Sequence, residues 1–332
     1  MCSPWSKEAG ELFSSMASSW KPRNVPMSQA LKDLIAMLWE EGAEVYLLGG
    51  GVLARDCGKI PPYYNLLVEV GDFKAIKKAL FEYGVVPVST PDLPAEYIRF
   101  VYQERVYSAL NMSLADYLER NVLGQRLQLL PLAHNFLVED PSRRRVMDPY
   151  GALSESGNQQ HADTIKLIRQ PDSVVTGLEV CLAVAFDTAL LGLKAPARFG
   201  AMERSVLGTV ISTKSDSLLV FHRMLSYLPD LLEVRGWPSV RRYLRAPLCV
   251  SAAGGDPGID LRQVEASLER VARRGQAITG AHLFAAINRQ FEPRSQVAGA
   301  GLPDFLASRQ LPVRRKDLLA KVLVEKDPLA EV

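Results

Sequence analysis

Gly49-Gly50-Gly51, followed at short spacing by Arg55-Asp56, is the group in this chain best suited to chemistry. Glycines that end an apolar run let the backbone approach a phosphate, and the amides opening the next helix face its negative charge. Arg55 adds donors that suit a phosphate, while Asp56 either shares that work or pairs with Arg55 to brace the turn. Elsewhere the chemistry is sparse. The histidines at 134, 161, 222 and 282 and the cysteines at 2, 57, 181 and 249 form no HExxH or CxxC pattern, so no protein-only metal site is expected. No Gly-x-Ser-x-Gly elbow is present, and His134 lies in a strand-like apolar run with no acid or nucleophile near it in sequence.

The elements that must position this group can be read from periodicity. Leu31, Leu34, Ile35 and Leu38 repeat at helical spacing, with Ser28 as cap and Gly42 as stop. Val45 to Leu48 is an apolar strand running into the glycines, and Val52 to Cys57 continues as a short helix. After Pro61-Pro62 a second strand covers 64–70, and Asp72 caps a helix through Leu80 that ends at Gly84. Val85 to Val88, Ile98 to Tyr102 and Val106 to Met112 supply further strands, which makes 28–150 an α/β head with a mixed sheet. From about Pro171 the texture changes to long apolar helices, with Leu178–Leu191, Ser217–Leu232 and Ile259–Arg274 as examples. Pro196, Gly236-Trp237-Pro238 and Gly254–Gly258 separate them. The expected fold class is therefore α+β: the head, then an all-helical neck over 151–200 and body over 201–332. Residues 1–27 read as a loosely attached arm.

Composition narrows the function classes. The chain has 332 residues, 48% hydrophobic and 23% charged, with 39 Lys+Arg against 37 Asp+Glu for a net charge of +2. That usage excludes wholesale disorder and a histone-like binder of any polyanion, but leaves room for a local basic surface. No apolar run approaches the roughly 20 residues of a membrane span, and no leader-like segment opens the chain. Cytoplasmic residence with reduced thiols is expected.

The order strand, glycine turn, Arg55-Asp56, Gly58, Pro61-Pro62 and a strand at 64–70 resembles the head of the class II tRNA nucleotidyltransferase and bacterial poly(A) polymerase family. Downstream, Asp148-Pro149-Tyr150-Gly151-Ala152 is similar to the family's Asp-Pro-aromatic-Gly-Gly. Ile165–Arg169 is similar to the segment before its neck helix, and the likeness spans about residues 28–195. The resemblance implies a phosphate-holding role for Gly49, Gly50, Gly51, Arg55 and Asp56, and a nucleotide contact for Asn135.

The same resemblance shows where chemistry is missing. The family sets two carboxylates two residues apart on one strand edge, where both face the same side and hold the metal ions of nucleotidyl transfer. Here those places are Tyr63 and Asn65, and the strand Val106 to Met112 offers Tyr107, Ser108 and Asn111 but no acid. The family's Arg-Arg-Asp segment aligns with Leu129 to Leu137, of which Asn135 alone keeps its polar group. In the neck its arginines align within Val175–Glu179 and Leu182–Phe186, where none occurs. Apolar positions match while chemical ones do not, which implies a retained fold without the active site, and no cofactor.

Three functions remain open at this point. One is a catalytically degenerate relative that binds RNA or a nucleotide. Another is an active nucleotidyltransferase with a rearranged, magnesium-holding acid set drawing on Glu69, and the third is a protein-interaction scaffold. RNA contacts would come from Arg143, Arg144 and Arg145, from Arg241, Arg242 and Arg245 near Trp237 and Tyr243, and from the basic excess after residue 261. The apolar stretch 174–193 is either a core helix or a homodimer contact, with core favoured.

Overall fold

Ser28 opens the first helix, α1 (Gln29–Glu40), by accepting the Leu31 amide on its hydroxyl at 3.4 Å. The predicted stripe Leu31, Leu34, Ile35 and Leu38 is buried, as a period of 3.6 residues requires. The computed structural model describes residues 19–87, 95–119, 132–153, 163–168, 174–196, 199–210, 227–246, 260–276, 282, 285, 286 and 289. Outside these residues fall several sequence readings: most of the arm, Leu129 to Pro131, Arg169, 217–226, Gly254–Gly258 and the basic segment beyond 289.

The remaining elements of the first half are α2 (Gly50–Asp56), α3 (Phe73–Glu82) and eight strands. The strands are β1 (Trp20–Pro22), β2 (Glu44–Leu48), β3 (Tyr63–Glu69), β4 (Val86–Pro87), β5 (Tyr97–Tyr102), β6 (Arg105–Asn111), β7 (Val138–Asp140) and β8 (Arg145–Met147). They form one mixed sheet in the order β1-β8-β7-β2-β3-β6-β5-β4, with β3 and β6 parallel and the other pairs antiparallel. Asp72 caps α3 as predicted, its carboxylate accepting the Lys74 and Ala75 amides at 3.0 and 3.2 Å.

Strand alternation sends the two sets of side chains to opposite faces. On one face Tyr46, Leu48, Leu67, Tyr97, Leu110, Val138 and Met147 join Tyr117, Leu118 and Phe136 in a buried cluster. On the other, Tyr64 and Phe100 stack on either side of Tyr107, with ring centroids 5.2 and 5.3 Å apart and planes within 16° and 10° of parallel.

Two readings are corrected here. The part of the arm that is described is not loose: β1 pairs with β8, Val25 is buried, and Arg23 forms a two-point ion pair with Asp56 at 2.6 and 2.7 Å. His134 lies not in a strand but in a 3-10 turn (Ala133–Phe136), because Leu132 and His134 carbonyls accept the Asn135 and Leu137 amides and curl the chain before β7.

The chain divides into two compact units. The first holds the described residues up to 168 together with Leu191–Pro196. The second holds most of α4 (Val174–Leu191), then α5 (Phe199–Val210), α6 (Leu228–Arg235), α7 (Trp237–Leu244) and α8 (Leu261–Arg273). Val180, Cys181, Leu182, Ala183, Val184 and Phe186 of α4 are all buried within the chain, as a core helix requires. No helix among the described residues is long and apolar enough to cross a membrane.

Candidate functional site

Gly49 ends β2 with φ +66°, a conformation that favours glycine, and its amide donates to the Leu137 carbonyl at 2.9 Å. The turn therefore has the predicted shape, strand into glycine into helix. Its surroundings differ from a phosphate cradle. A Cβ placed on Gly50 would lie 2.6 Å from Leu191 Cδ1, 3.6 Å from His134 Cδ2 and 3.7 Å from the Tyr63 hydroxyl. One on Gly51 would meet the Tyr63 carbonyl at 3.4 Å. Gly50, Gly51, Tyr63, His134 and Leu191 are all buried, so protein atoms fill the space over the turn.

This packing gives a test. Alanine at Gly50, the first residue of α2, must displace Leu191, an overpacking cost of roughly 1–3 kcal/mol. Gly50→Ala is expected to lower the denaturation midpoint in the native background and to leave it unchanged or raise it beside Leu191→Ala. Equal effects in both backgrounds would show that Leu191 does not close the turn.

Arg55 and Asp56 do not pair with each other. The Arg55 guanidinium, on the last turn of α2, is buried against Glu139 of β7 and donates to the Pro26 carbonyl at 3.3 Å. Burial pushes the Glu139 carboxyl above its ordinary range, and the Arg55 charge beside it pulls it back. Asp56 is held by Arg23. Both predicted phosphate ligands are thus committed to braces, one inside the sheet and one to the segment after β1. Glu139 was not anticipated; its sequence signal is an acid that directly follows the apolar run Phe136 to Val138.

The sheet register shows what surrounds Tyr63 and Asn65, the two places where the resemblance implies carboxylates. Leu48, Asn65, Ser108 and Arg99 form one rung across β2, β3, β6 and β5. Tyr63 stands two residues before Asn65 on the same face. Ser108 is buried, and the charged group on this rung is the buried guanidinium of Arg99, not a carboxylate. A phenol, an amide and a hydroxyl beside an arginine do not fit magnesium, which takes hard anionic oxygens. Among the described residues no cluster of three acids, histidines or cysteines could hold a metal ion.

Glu69 stands apart from Tyr63 and Asn65. It is in register with Glu44 at the other end of β3, about 13 Å along the strand from Asn65. Its carboxylate accepts the Leu114 amide at 3.1 Å. Asn135 is in the 3-10 turn, half-buried, with its amide bonded to Leu132.

The predicted basic groups separate into engaged and exposed members. In the β7–β8 hairpin, Asp140 accepts the Ser142 hydroxyl at 2.6 Å, the Arg143 amide at 3.1 Å and the Arg145 guanidinium at 3.1 Å. Burial alone would raise its pKa, but these donors win and hold the carboxyl below its ordinary value. Arg145 also lies over the Trp20 ring at 4.4 Å. Arg143 and Arg144 are exposed, and Arg144 turns with φ +48° while its carbonyl accepts the Arg23 amide at 2.9 Å. Capping the C-terminus of α7, Arg245 forms a two-point pair with Glu265 of α8 at 3.1 Å, and Arg241 of α7 lies 3.5 Å from the same carboxylate. Arg242 is exposed on the same helix.

No protein-family model matches this sequence, and no curated protein matches it. Among solved structures it is similar to a CCA-adding enzyme in complex with ATP, at 12% identity and TM-score 0.48, over 90% of this chain and 69% of that one. It is also similar to an apo form of a CCA-adding enzyme at 12% identity and TM-score 0.49, over 92% and 72%. The CCA-adding enzyme of Thermotoga maritima complexed with tRNA gives 10% identity and TM-score 0.46, over 93% and 71%.

Proposed function

We propose that this chain is a non-catalytic relative of the nucleotidyltransferase family that its motif order resembles, closed to nucleotide from within and acting as an RNA-binding protein. The reading takes 28–150 as a nucleotidyltransferase-like head, 151–200 as neck and 201–332 as body, without a cofactor and in the cytoplasm. The observation that carries it is the pair Tyr63 and Leu191 over Gly50. The resemblance puts a metal-binding carboxylate at 63 and phosphates at the glycine turn, and here a buried phenol and an apolar side chain stand there instead. The braces Arg55–Glu139 and Arg23–Asp56 support it, since both groups the resemblance assigns to phosphate are neutralised by protein partners.

RNA binding is supported by the arginines left exposed, Arg143 and Arg144 on the hairpin and Arg242 on α7. Arg145, Arg241 and Arg245 hold structure together in this reading. Binding to phosphates releases counterions, so log affinity falls linearly with log salt, with a slope near −0.7 per neutralised phosphate on single strands. Filter binding of the full chain to single-stranded RNA and to tRNA across a salt series is expected to give such a line. Affinity flat with salt, or no binding in dilute salt, would instead favour a protein-interaction scaffold.

A further inference from the structure

A recess lies away from the glycine turn, where the end of α1 and the start of β2 meet the tip of the β7–β8 hairpin. Trp39, Ala43, Glu44, Val45, Tyr46, Asp140, Ser142 and Arg143 line this cleft of about 190 Å³. Trp39 is one of the few large apolar side chains of the described chain that face solvent, at 41% exposure. Burial elsewhere on α1 takes the stripe from Leu31 to Leu38 and leaves this indole outside it.

The opposite wall is held in place. Asp140 ties Ser142, the Arg143 amide and Arg145 together, and the Arg144 carbonyl is bonded to Arg23. The Arg143 guanidinium, its side chain 63% exposed and its Nε 3.9 Å from Asp140, therefore stands on a fixed backbone beside the recess. Asp140 lies 3.1 Å from the Arg145 guanidinium and 3.9 Å from that of Arg143, and Glu44 accepts the Tyr46 hydroxyl at 2.7 Å.

We infer that this cleft takes one unpaired base of a single-stranded RNA, stacked on the Trp39 indole, with its phosphate at Arg143 and Arg144. An indole face offers stacking to any base, and an arginine at its rim supplies the charge that a neighbouring phosphate needs. The volume suits one flat group, and a duplex has no free base to insert. The inference rests on the RNA-binding reading above but names a different surface from the glycine turn, and it selects single strands over duplex.

The test is fluorescence anisotropy of the full chain with labelled oligoadenylate, with a duplex RNA of equal length as comparison. Trp39→Ala is expected to weaken oligoadenylate binding roughly tenfold, the range of one base–aromatic stack, while leaving the salt slope unchanged. Arg143→Gln is expected to weaken it roughly threefold and to make the slope shallower by about one phosphate contact. Trp39→Phe, which keeps a stacking face, should recover most of the affinity and guards against a folding defect. Oligoadenylate binding with wild-type strength in both Trp39→Ala and Arg143→Gln overturns the cleft while RNA binding itself stands. Absence of any RNA binding overturns both, and binding of a basic peptide that Trp39→Ala abolishes, with none of RNA, assigns the cleft to a protein cation instead.

Discussion

Glu139→Ala is expected to remove about 3–5 kcal/mol of stability, the cost of leaving a buried guanidinium without its counter-charge. Both side chains of the Arg55–Glu139 pair are 3% exposed, so water cannot take over the carboxylate's role. Arg55 also anchors the segment before α1 through the Pro26 carbonyl, which spreads the effect beyond α2. Replacing both partners by apolar groups of similar size, Arg55→Met with Glu139→Leu, should cost far less than either single change, because no charge is then left buried. Urea denaturation of the three variants checks this. A loss below about 1 kcal/mol in Glu139→Ala would show that the pair is not the buried brace described, since exposed ion pairs are worth about that much.

Phe100→Ala is the second large effect, at roughly 3–5 kcal/mol for a fully buried aromatic truncated in a packed core. Phe100 is inaccessible to solvent and lies nearly parallel to Tyr107, itself covered on its other side by Tyr64. The three rings come from β5, β6 and β3, so the stack ties together the strands that carry Arg99, Ser108 and Asn65. Phe100→Leu should recover part of the loss because it refills most of the volume. Thermal denaturation of the two variants measures it, and an unchanged midpoint in Phe100→Ala would contradict the packing.

The local parts of this fold are legible in the sequence because their causes are local. Ser28 and Asp72 cap helices through amides two or three residues away, and Gly49 is required where it stands by its own backbone angle. That positions 63 and 65 carry a phenol and an amide, not carboxylates, can also be read directly. What sequence reasoning could not reach are partners chosen by the sheet. Arg55 and Asp56 sit side by side and suggest one shared role, yet β7 supplies Glu139 to the first and the segment after β1 supplies Arg23 to the second. Arg241 and Arg245 likewise read as a basic patch until α8 brings Glu265 beside them. The His134 turn was missed because an apolar run has no period that separates a strand from a 3-10 turn.

In the proposed reading, the glycine turn of the head is kept for its backbone path and packing stands where the chemistry would be. Tyr63 and Leu191 fill the approach to Gly50, and Arg99 sets a positive charge on the rung of Asn65, where the resemblance implies a metal-holding carboxylate. The most direct measurement is incorporation of labelled CTP and ATP into a tRNA lacking its 3′ end, using the full chain with magnesium and then with manganese. The expected result is incorporation no greater than in the reaction without protein, under conditions where the same RNA is bound. Metal-dependent incorporation that rises with protein concentration would contradict the proposed loss of catalysis.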